Sequence, residues 1–346
     1  MINKKEHYMY RCIQLAQKGA LFAAPNPLVG AVIVHNDIII GEGYHIKSGT
    51  AHAEVNAINS VKNKKLLQQS TLYVSLEPCS HAGKTPPCAD LIIKHKIPHV
   101  IIGCQDPFNK VNGQGIQKLK NAGVDVQVGV LESECKNLIR RFYTFHQHKR
   151  PYIILKWAQS ADYFIDKQRT ASNPVIFSTP NSTIITQKRR AEVESILVGT
   201  NTAKLDNPRL NVRNWYPKNP IRLVIDKDLK LSQDLSLFDN KIQTWVFTTK
   251  TTTSFKSNIK YIKLNFDKNI TTQICDFLYQ NEIQSVLVEG GAVLLNSFIN
   301  ENLWDEVHIE QSEVILQNGI CAPNIKDLGV AIKKEFFGQT FITYHK

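Results

Sequence analysis

Three side chains in the first hundred residues have the types and spacing of a metal site: His52 in His52-Ala53-Glu54, Cys79 after Pro78, and Cys88 after Pro87. One imidazole and two thiolates suit tetrahedral zinc, and three protein ligands leave the fourth position to water, as in a catalytic rather than a structural zinc. Water on zinc has a strongly lowered pKa and becomes a nucleophile near neutrality. Glu54, two residues past the imidazole, is placed to carry a proton from that water to a leaving amine. The set predicts one zinc per chain and hydrolytic deamination; a zinc-stabilised binding module would have no use for Glu54. His81, between the cysteines, reads as a loop-packing residue, because a fourth ligand would close the site.

H-x-E followed by P-C-x-x-C is the signature of zinc nucleobase deaminases. Here a longer loop, SHAGKTPP (80–87), separates the two cysteines.

The elements that must hold these groups alternate. Residues 6–19 read as an amphipathic helix closed by Gly19, and 28–45 as two strands around a turn at Asn36-Asp37. Helix is expected over 51–61, strand over 70–78, helix over 89–96, strand over 99–104, helix over 112–123 and strand over 124–130. His52 and Cys79 are expected at helix starts, with Cys88 opening the next helix, where the partial positive charge favours thiolates. The polar, basic segment 142–151 reads as a boundary near residue 149, giving domains of 1–148 and 149–346. The second half restarts with strands at 152–158, 195–199, 221–226, 244–249 and 285–291. Strands alternating with helices in both halves predict two α/β domains.

The length of 346 residues fits about two domains. A hydrophobic share of 42% with 21% charged residues excludes a mostly disordered chain. The net charge of +12 invites a nucleic-acid reading, but the basic residues are scattered and the longest run is three, at 188–190. Nucleic acid is not expected as a partner. No apolar run approaches the roughly 18 residues that span a bilayer. Seven cysteines, an odd number, fit reduced thiols, and a cytoplasmic location is expected.

The segments Pro25-Asn26-Pro27-Leu28-Val29-Gly30, GEGYH (41–45), HAE (52–54), EPCSHAGKTPPC (77–88) and QDPFNKVNGQG (105–115) together resemble one family, the bifunctional riboflavin-biosynthesis enzymes, in which a pyrimidine deaminase is fused to a reductase. The likeness continues through LKWAQSAD (155–162), ILVGTNTAKLDNPRLNVR (196–213), PIRLVID (220–226) and SVLVEGGAVLLNSF (285–298). It implies a cytidine-deaminase-like α/β/α sandwich with zinc, followed by a dihydrofolate-reductase-like α/β domain that uses NADPH. The substrate would be a small phosphoribosylated pyrimidine and the assembly a homo-oligomer. The resemblance puts zinc on His52, Cys79 and Cys88, the proton shuttle on Glu54, and substrate contacts of the deaminase on Asn26, His45 and Lys84. In the reductase it puts NADPH contacts on Ala158, Thr202, Asp206 and the segment from Gly291. Substrate contacts fall on Arg190, Leu210, Arg213 and Glu289. Lys156, on the first strand of that half, is a candidate for polarising the substrate.

A tRNA-type deaminase is disfavoured by the long loop between the cysteines and by the whole second half. Two departures from the family bear on the reductase. Tyr163 stands where the family has glycine after Asp162, and Ile176-Phe177 replaces an aromatic cofactor contact. A tyrosine at a positive-φ glycine position would be strained by about 1–2 kcal/mol. The region 309–319 also departs, and a degenerate reductase is the alternative these changes leave.

Overall fold

The computed structural model describes residues 3–80, 86–108, 112–170, 173–216, 218–252, 256–325 and 328–346. The chain forms two compact units, Met1–Lys149 and Arg150–Lys346. Lys84 and His81 lie outside the described residues.

The first unit runs α1 (Lys4–Gln17), β1 (Gly30–His35), β2 (Ile38–Tyr44), α2 (Ala53–Ser60), β3 (Thr71–Leu76), α3 (Cys88–Lys94), β4 (His99–Cys104), α4 (Gln114–Asn121), β5 (Asp125–Val128), α5 (Glu132–Leu138) and α6 (Arg140–His148). A capping box between Asn3 and Glu6 starts α1. Asn36 and Asp37 turn the β1–β2 hairpin with φ of 47° and 63°, the left-handed pair such a two-residue turn needs. The sheet order is β2-β1-β3-β4-β5. β1 pairs antiparallel with both β2 and β3, while β3, β4 and β5 run parallel.

Period-two alternation splits each central strand between two cores. Ala31, Ile33, Leu72, Val74, Val100 and Ile102 meet Ala53, Ala57, Ile58, Ala89, Ile92 and Leu119 from α2, α3 and α4. Val32, Val34, Tyr73 and Ile101 meet Tyr8, Met9 and Cys12 of α1 and Cys135 of α5.

The polar segment that runs up to the division between the units at Lys149 is helical, α6, with Thr144 and Phe145 buried and Lys149 closing it at a left-handed φ of 52°. Its apolar signal, Ile139, Phe142 and Phe145, has helical spacing but is diluted by histidines and arginines.

The second unit runs β6 (Tyr152–Gln159), β7 (Phe164–Asp166), α7 (Pro180–Glu192), β8 (Ser195–Val198), α8 (Thr200–Asp206), β9 (Ile221–Ile225), β10 (Thr244–Thr248), β11 (Ile259–Lys263), α9 (Ile270–Gln280), β12 (Ser285–Glu289), α10 (Ala292–Asn300), β13 (Glu306–Gln311), β14 (Ile320–Cys321), β15 (Ile332–Phe336) and β16 (Gln339–His345). Its nine-stranded sheet has the order β11-β10-β9-β8-β12-β6-β13-β16-β15. The strands from β11 to β13 are parallel, and β16 and β15 close the edge antiparallel. Both faces are buried, so the central strands read as nearly continuous apolar runs. Ile153, Leu155 and Trp157 of β6 enter one core and Tyr152 and Ile154 the other. Among the described residues no helix is long and apolar enough to cross a membrane.

Candidate functional site

In the first unit, His52, Cys79 and Cys88 converge so that their donor atoms all lie within 4.8 Å of one another. His52 is the N-cap of α2 and Cys88 the first residue of α3. Cys79 does not start a helix, contrary to expectation; β3 ends at Leu76 and Cys79 sits in the loop that follows. It meets a helix start from outside, since the Cys88 N–H donates to its Sγ at 3.3 Å. Nδ1 of His52 lies 3.6 Å from the Cys79 sulfur and 3.3 Å from that of Cys88. Hydrogen bonds from the Cys88 thiol and from His52 pull the Cys79 thiol well below its usual pKa, against burial. One nitrogen and two sulfurs at these separations fit zinc, with no fourth His, Cys, Asp or Glu joining them among the described residues. Glu54, in the first turn of α2, is 3% exposed. Burial lifts its carboxyl to about 7, the range of a group that takes and returns protons at neutral pH.

Asn26 and His45 join this cluster. The His45 ring is buried 5.4 Å from that of His52, and burial lowers its pKa. Its Nδ1 lies 3.1 Å from the Ala51 carbonyl, so the proton belongs there and Nε2 accepts from the Asn26 amide at 3.0 Å. That arrangement fixes the Asn26 rotamer and leaves its carbonyl oxygen to accept from a ligand N–H.

A residue the sequence reading did not single out holds the loop that carries Cys79. The Glu77 carboxylate, 3% exposed, accepts from four backbone N–H groups: Asp106 at 3.2 Å, Gly113 at 2.9 Å, Gly115 at 2.9 Å and Ile116 at 3.3 Å. It thereby caps α4 and ties it to the residues before Cys79. A Cβ on Gly115 would stand 1.9 Å from the Pro78 carbonyl oxygen, so only glycine permits this approach. The available signal was an acid directly before Pro-Cys together with Gly113-Gln114-Gly115.

In the second unit a polar row crosses the sheet. Register places Lys156 of β6 between Glu289 of β12 and His308 of β13. Arg190 of α7 grips Glu289 with two bonds, 3.2 and 2.6 Å, and its Nη1 donates to the Asn211 carbonyl at 3.2 Å. Burial would raise the Glu289 carboxyl, but Arg190 outweighs it and holds the pKa below the usual range. The Lys156 ammonium has no hydrogen-bond or ion-pair partner among the described residues, and burial lowers its pKa. Glu310, also not anticipated, accepts from Ser178 at 2.7 Å and from Ser182, which ties the start of α7 to β13.

Thr202 packs against the turn Gly290-Gly291, whose φ values are 104° and 69° and which leads into α10. Asp206 is paired with Arg169, which also holds Asp166 at 2.6 Å. Ala158 lies on β6 opposite Glu310. Leu210 is buried, and Arg213 is exposed with its backbone N–H donating to Gln187 at 2.7 Å.

Residues 2–104 match the family described as the cytidine and deoxycytidylate deaminase zinc-binding region, and residues 151–316 match the RibD C-terminal domain. Riboflavin biosynthesis protein RibD of Bacillus amyloliquefaciens is 38% identical over 332 residues, 93% of this chain and 87% of that one. The chain belongs to the RibD family. It is a bifunctional deaminase and reductase of riboflavin biosynthesis. Among solved structures, a diaminohydroxyphosphoribosylaminopyrimidine deaminase/5-amino-6-(5-phosphoribosylamino)uracil reductase from Thermotoga maritima is 33% identical with a TM-score of 0.89, covering 99% of this chain and 98% of that one. Acinetobacter baumannii RibD (form 1) is 28% identical, also with a TM-score of 0.89, covering 100% and 99%.

Against this RibD background the two departures have visible consequences. Tyr163 adopts a φ of 66° and is 61% exposed, so the side chain sits in a left-handed turn. Ile176 is 80% exposed while Phe177 is turned inward at 7%, so an aliphatic side chain, not an aromatic one, faces solvent there.

Proposed function

We propose that residues 1–148 deaminate 2,5-diamino-6-(5-phosphoribosylamino)pyrimidin-4(3H)-one to 5-amino-6-(5-phosphoribosylamino)uracil, and that residues 149–346 then reduce its ribosyl unit to ribityl. The convergence of His52, Cys79 and Cys88 beside buried Glu54 carries the reading.

Zinc on those three residues supplies a Lewis acid that makes water nucleophilic at neutral pH. Glu54 takes the proton released as water adds to the amino-bearing carbon and returns it to nitrogen, so that ammonia leaves and a carbonyl remains. The free carbonyl oxygen of Asn26 accepts a pyrimidine N–H, with His45 holding the amide in place. Lys84 adds a cation for the substrate phosphate.

In the reductase, bound NADPH would be the source of hydride for the ribosyl carbon that carries both the ring oxygen and the amino nitrogen. Ala158, Thr202, Asp206 and the backbone from Gly291 hold the cofactor, the turn offering N–H groups to phosphate oxygens. As the carbon–oxygen bond opens, the ring oxygen needs a proton. Lys156, with a lowered pKa and no protein partner, provides it. Glu289, locked by Arg190, orients ribosyl hydroxyls, and Leu210 and Arg213 complete the substrate side.

Metal analysis with an ammonia assay tests the first half. Cys88→Ser is expected to lose both zinc and ammonia release; full zinc with full activity would overturn the ligand assignment.

A further inference from the structure

The longest basic run in the chain, Lys188-Arg189-Arg190, lies near the end of α7, where helical spacing sends the three side chains in different directions. Lys188 is exposed, whereas Arg189 and Arg190 are half-buried. Arg190 is paired with the Glu289 carboxylate. Arg189 meets no carboxylate: it makes no ion pair among the described residues, and its hydrogen bond there runs from Nη2 to Nδ1 of His308 at 3.0 Å.

That bond also fixes the imidazole. A guanidinium only donates, so Nδ1 must accept and the ring N–H sits on Nε2. Nε2 in turn lies 3.0 Å from a Glu306 carboxylate oxygen, and Thr343 Oγ1 lies 3.1 Å from Nδ1. The His308 side chain is 11% exposed and burial lowers its pKa, so the ring is neutral at pH 7. Arg189 is therefore a cation gripped by a neutral partner. Burial acts against its charge, and Glu306, Glu310, Glu192 and Glu289 support it only from beyond contact distance. It remains a guanidinium throughout the ordinary pH range.

Its neighbour is Lys156. Register sets His308 of β13 beside Lys156 of β6, one strand spacing of about 4.8 Å away. Burial acts most strongly against the Lys156 ammonium; Glu289 and Glu310 support it, and Arg190 and Arg189 oppose it. Glu289 and Arg190 are in contact, so their effects on Lys156 largely cancel. That leaves Glu310, which accepts from Ser178 and Ser182, set against Arg189. His345, the remaining titratable group on this face, is turned toward Glu306 at 3.9 Å.

We propose that Arg189, anchored by His308, is a positioning residue of the reductase: it holds an uncancelled positive charge beside Lys156 and so loosens the hold of Lys156 on its proton. This rests on the reductase reading above. As the carbon–oxygen bond opens, its electron pair stays on the ring oxygen, an Nζ–H bond of Lys156 breaks and an O–H bond forms. Lys156 is left as a neutral amine and regains its proton from water.

Titration of Lys156 in the full, zinc-loaded chain tests the proposal. It is followed by the Cε resonance of isotopically labelled lysine, assigned by its absence in Lys156→Arg. Arg189→Met is expected to raise the Lys156 midpoint by about one pH unit, the effect of removing a neighbouring like charge. Single-turnover NADPH oxidation with pre-deaminated substrate should slow several-fold, while substrate affinity and ammonia release hold. His308→Asn places Oδ1 where Nδ1 stood and is expected to keep the midpoint; His308→Leu frees Arg189 and is expected to raise it. An unmoved midpoint in Arg189→Met, or equal shifts in His308→Asn and His308→Leu, would overturn the proposal. A raised midpoint with an unchanged rate of NADPH oxidation would support the role of Arg189 and refute instead Lys156 as the proton donor.

Discussion

Replacing Glu77 by glutamine keeps the shape of the side chain and changes only what it offers the four N–H groups around it. The carboxylate takes Asp106 and Gly113 on Oε2 and Gly115 and Ile116 on Oε1. Glutamine has one acceptor oxygen, so its NH₂ must face two of those donors. Two charge-assisted bonds are lost and two N–H groups are left buried against another donor. A bond to a charged group contributes about 1.5–3 kcal/mol, and reorganisation of the loop recovers part of the loss, giving about 3 kcal/mol of destabilisation in the first unit. The same change loosens the residues before Cys79, so zinc should leave a chelator-challenged protein faster. Urea unfolding of the zinc-loaded chain, read through the transition of the first unit, with zinc release followed by a colorimetric chelator, measures both effects. A change under about 0.5 kcal/mol, the ordinary range for surface substitutions, with unaltered zinc release would refute the role given to Glu77.

Tyr163→Gly removes a side chain from a φ of 66° and is expected to stabilise the second unit by about 1 kcal/mol, read by thermal unfolding, while saturable NADPH binding below millimolar is kept. Loss of stability would mean that the Tyr163 ring packs productively; absence of NADPH binding would mark the reductase as degenerate. Asp106 is buried and burial raises its carboxyl to about 7, well above its unfolded value of 3.8. The folded state therefore binds more protons between those values, so this group's contribution is full below about pH 4 and is lost as pH rises to about 7, at about 1.4 kcal/mol per unit. Asp106→Asn should flatten that fall in a stability-versus-pH series; an unchanged slope would contradict it.

Much of the deaminase site is legible in the sequence because its chemistry is local. The zinc donors sit at the ends of short elements whose apolar alternation is strong, and Glu54 follows His52 on the same helix. Glu77 was not legible because its partners lie 29–39 residues away and are backbone N–H groups, which have no letter in the sequence. The reductase row is harder still. Glu289, Lys156 and His308 are neighbours only through the order β12-β6-β13, which joins segments more than 130 residues apart and no periodicity reveals. Helix α6 went unread because its buried stripe is narrow and its polar face dominates the composition. The strain at Tyr163 was visible only against the family's glycine.

The central claim, two separate chemistries in one chain, is tested most directly by Glu54→Gln assayed for both activities. General acid–base catalysis contributes about 10²–10⁴-fold, so ammonia release should fall by that factor while zinc content holds. NADPH oxidation with pre-deaminated substrate should continue at the unsubstituted rate, because Lys156, Glu289 and Arg190 belong to the other unit. Loss of both activities in a folded, zinc-loaded protein, or full ammonia release without the carboxylate, would contradict the account.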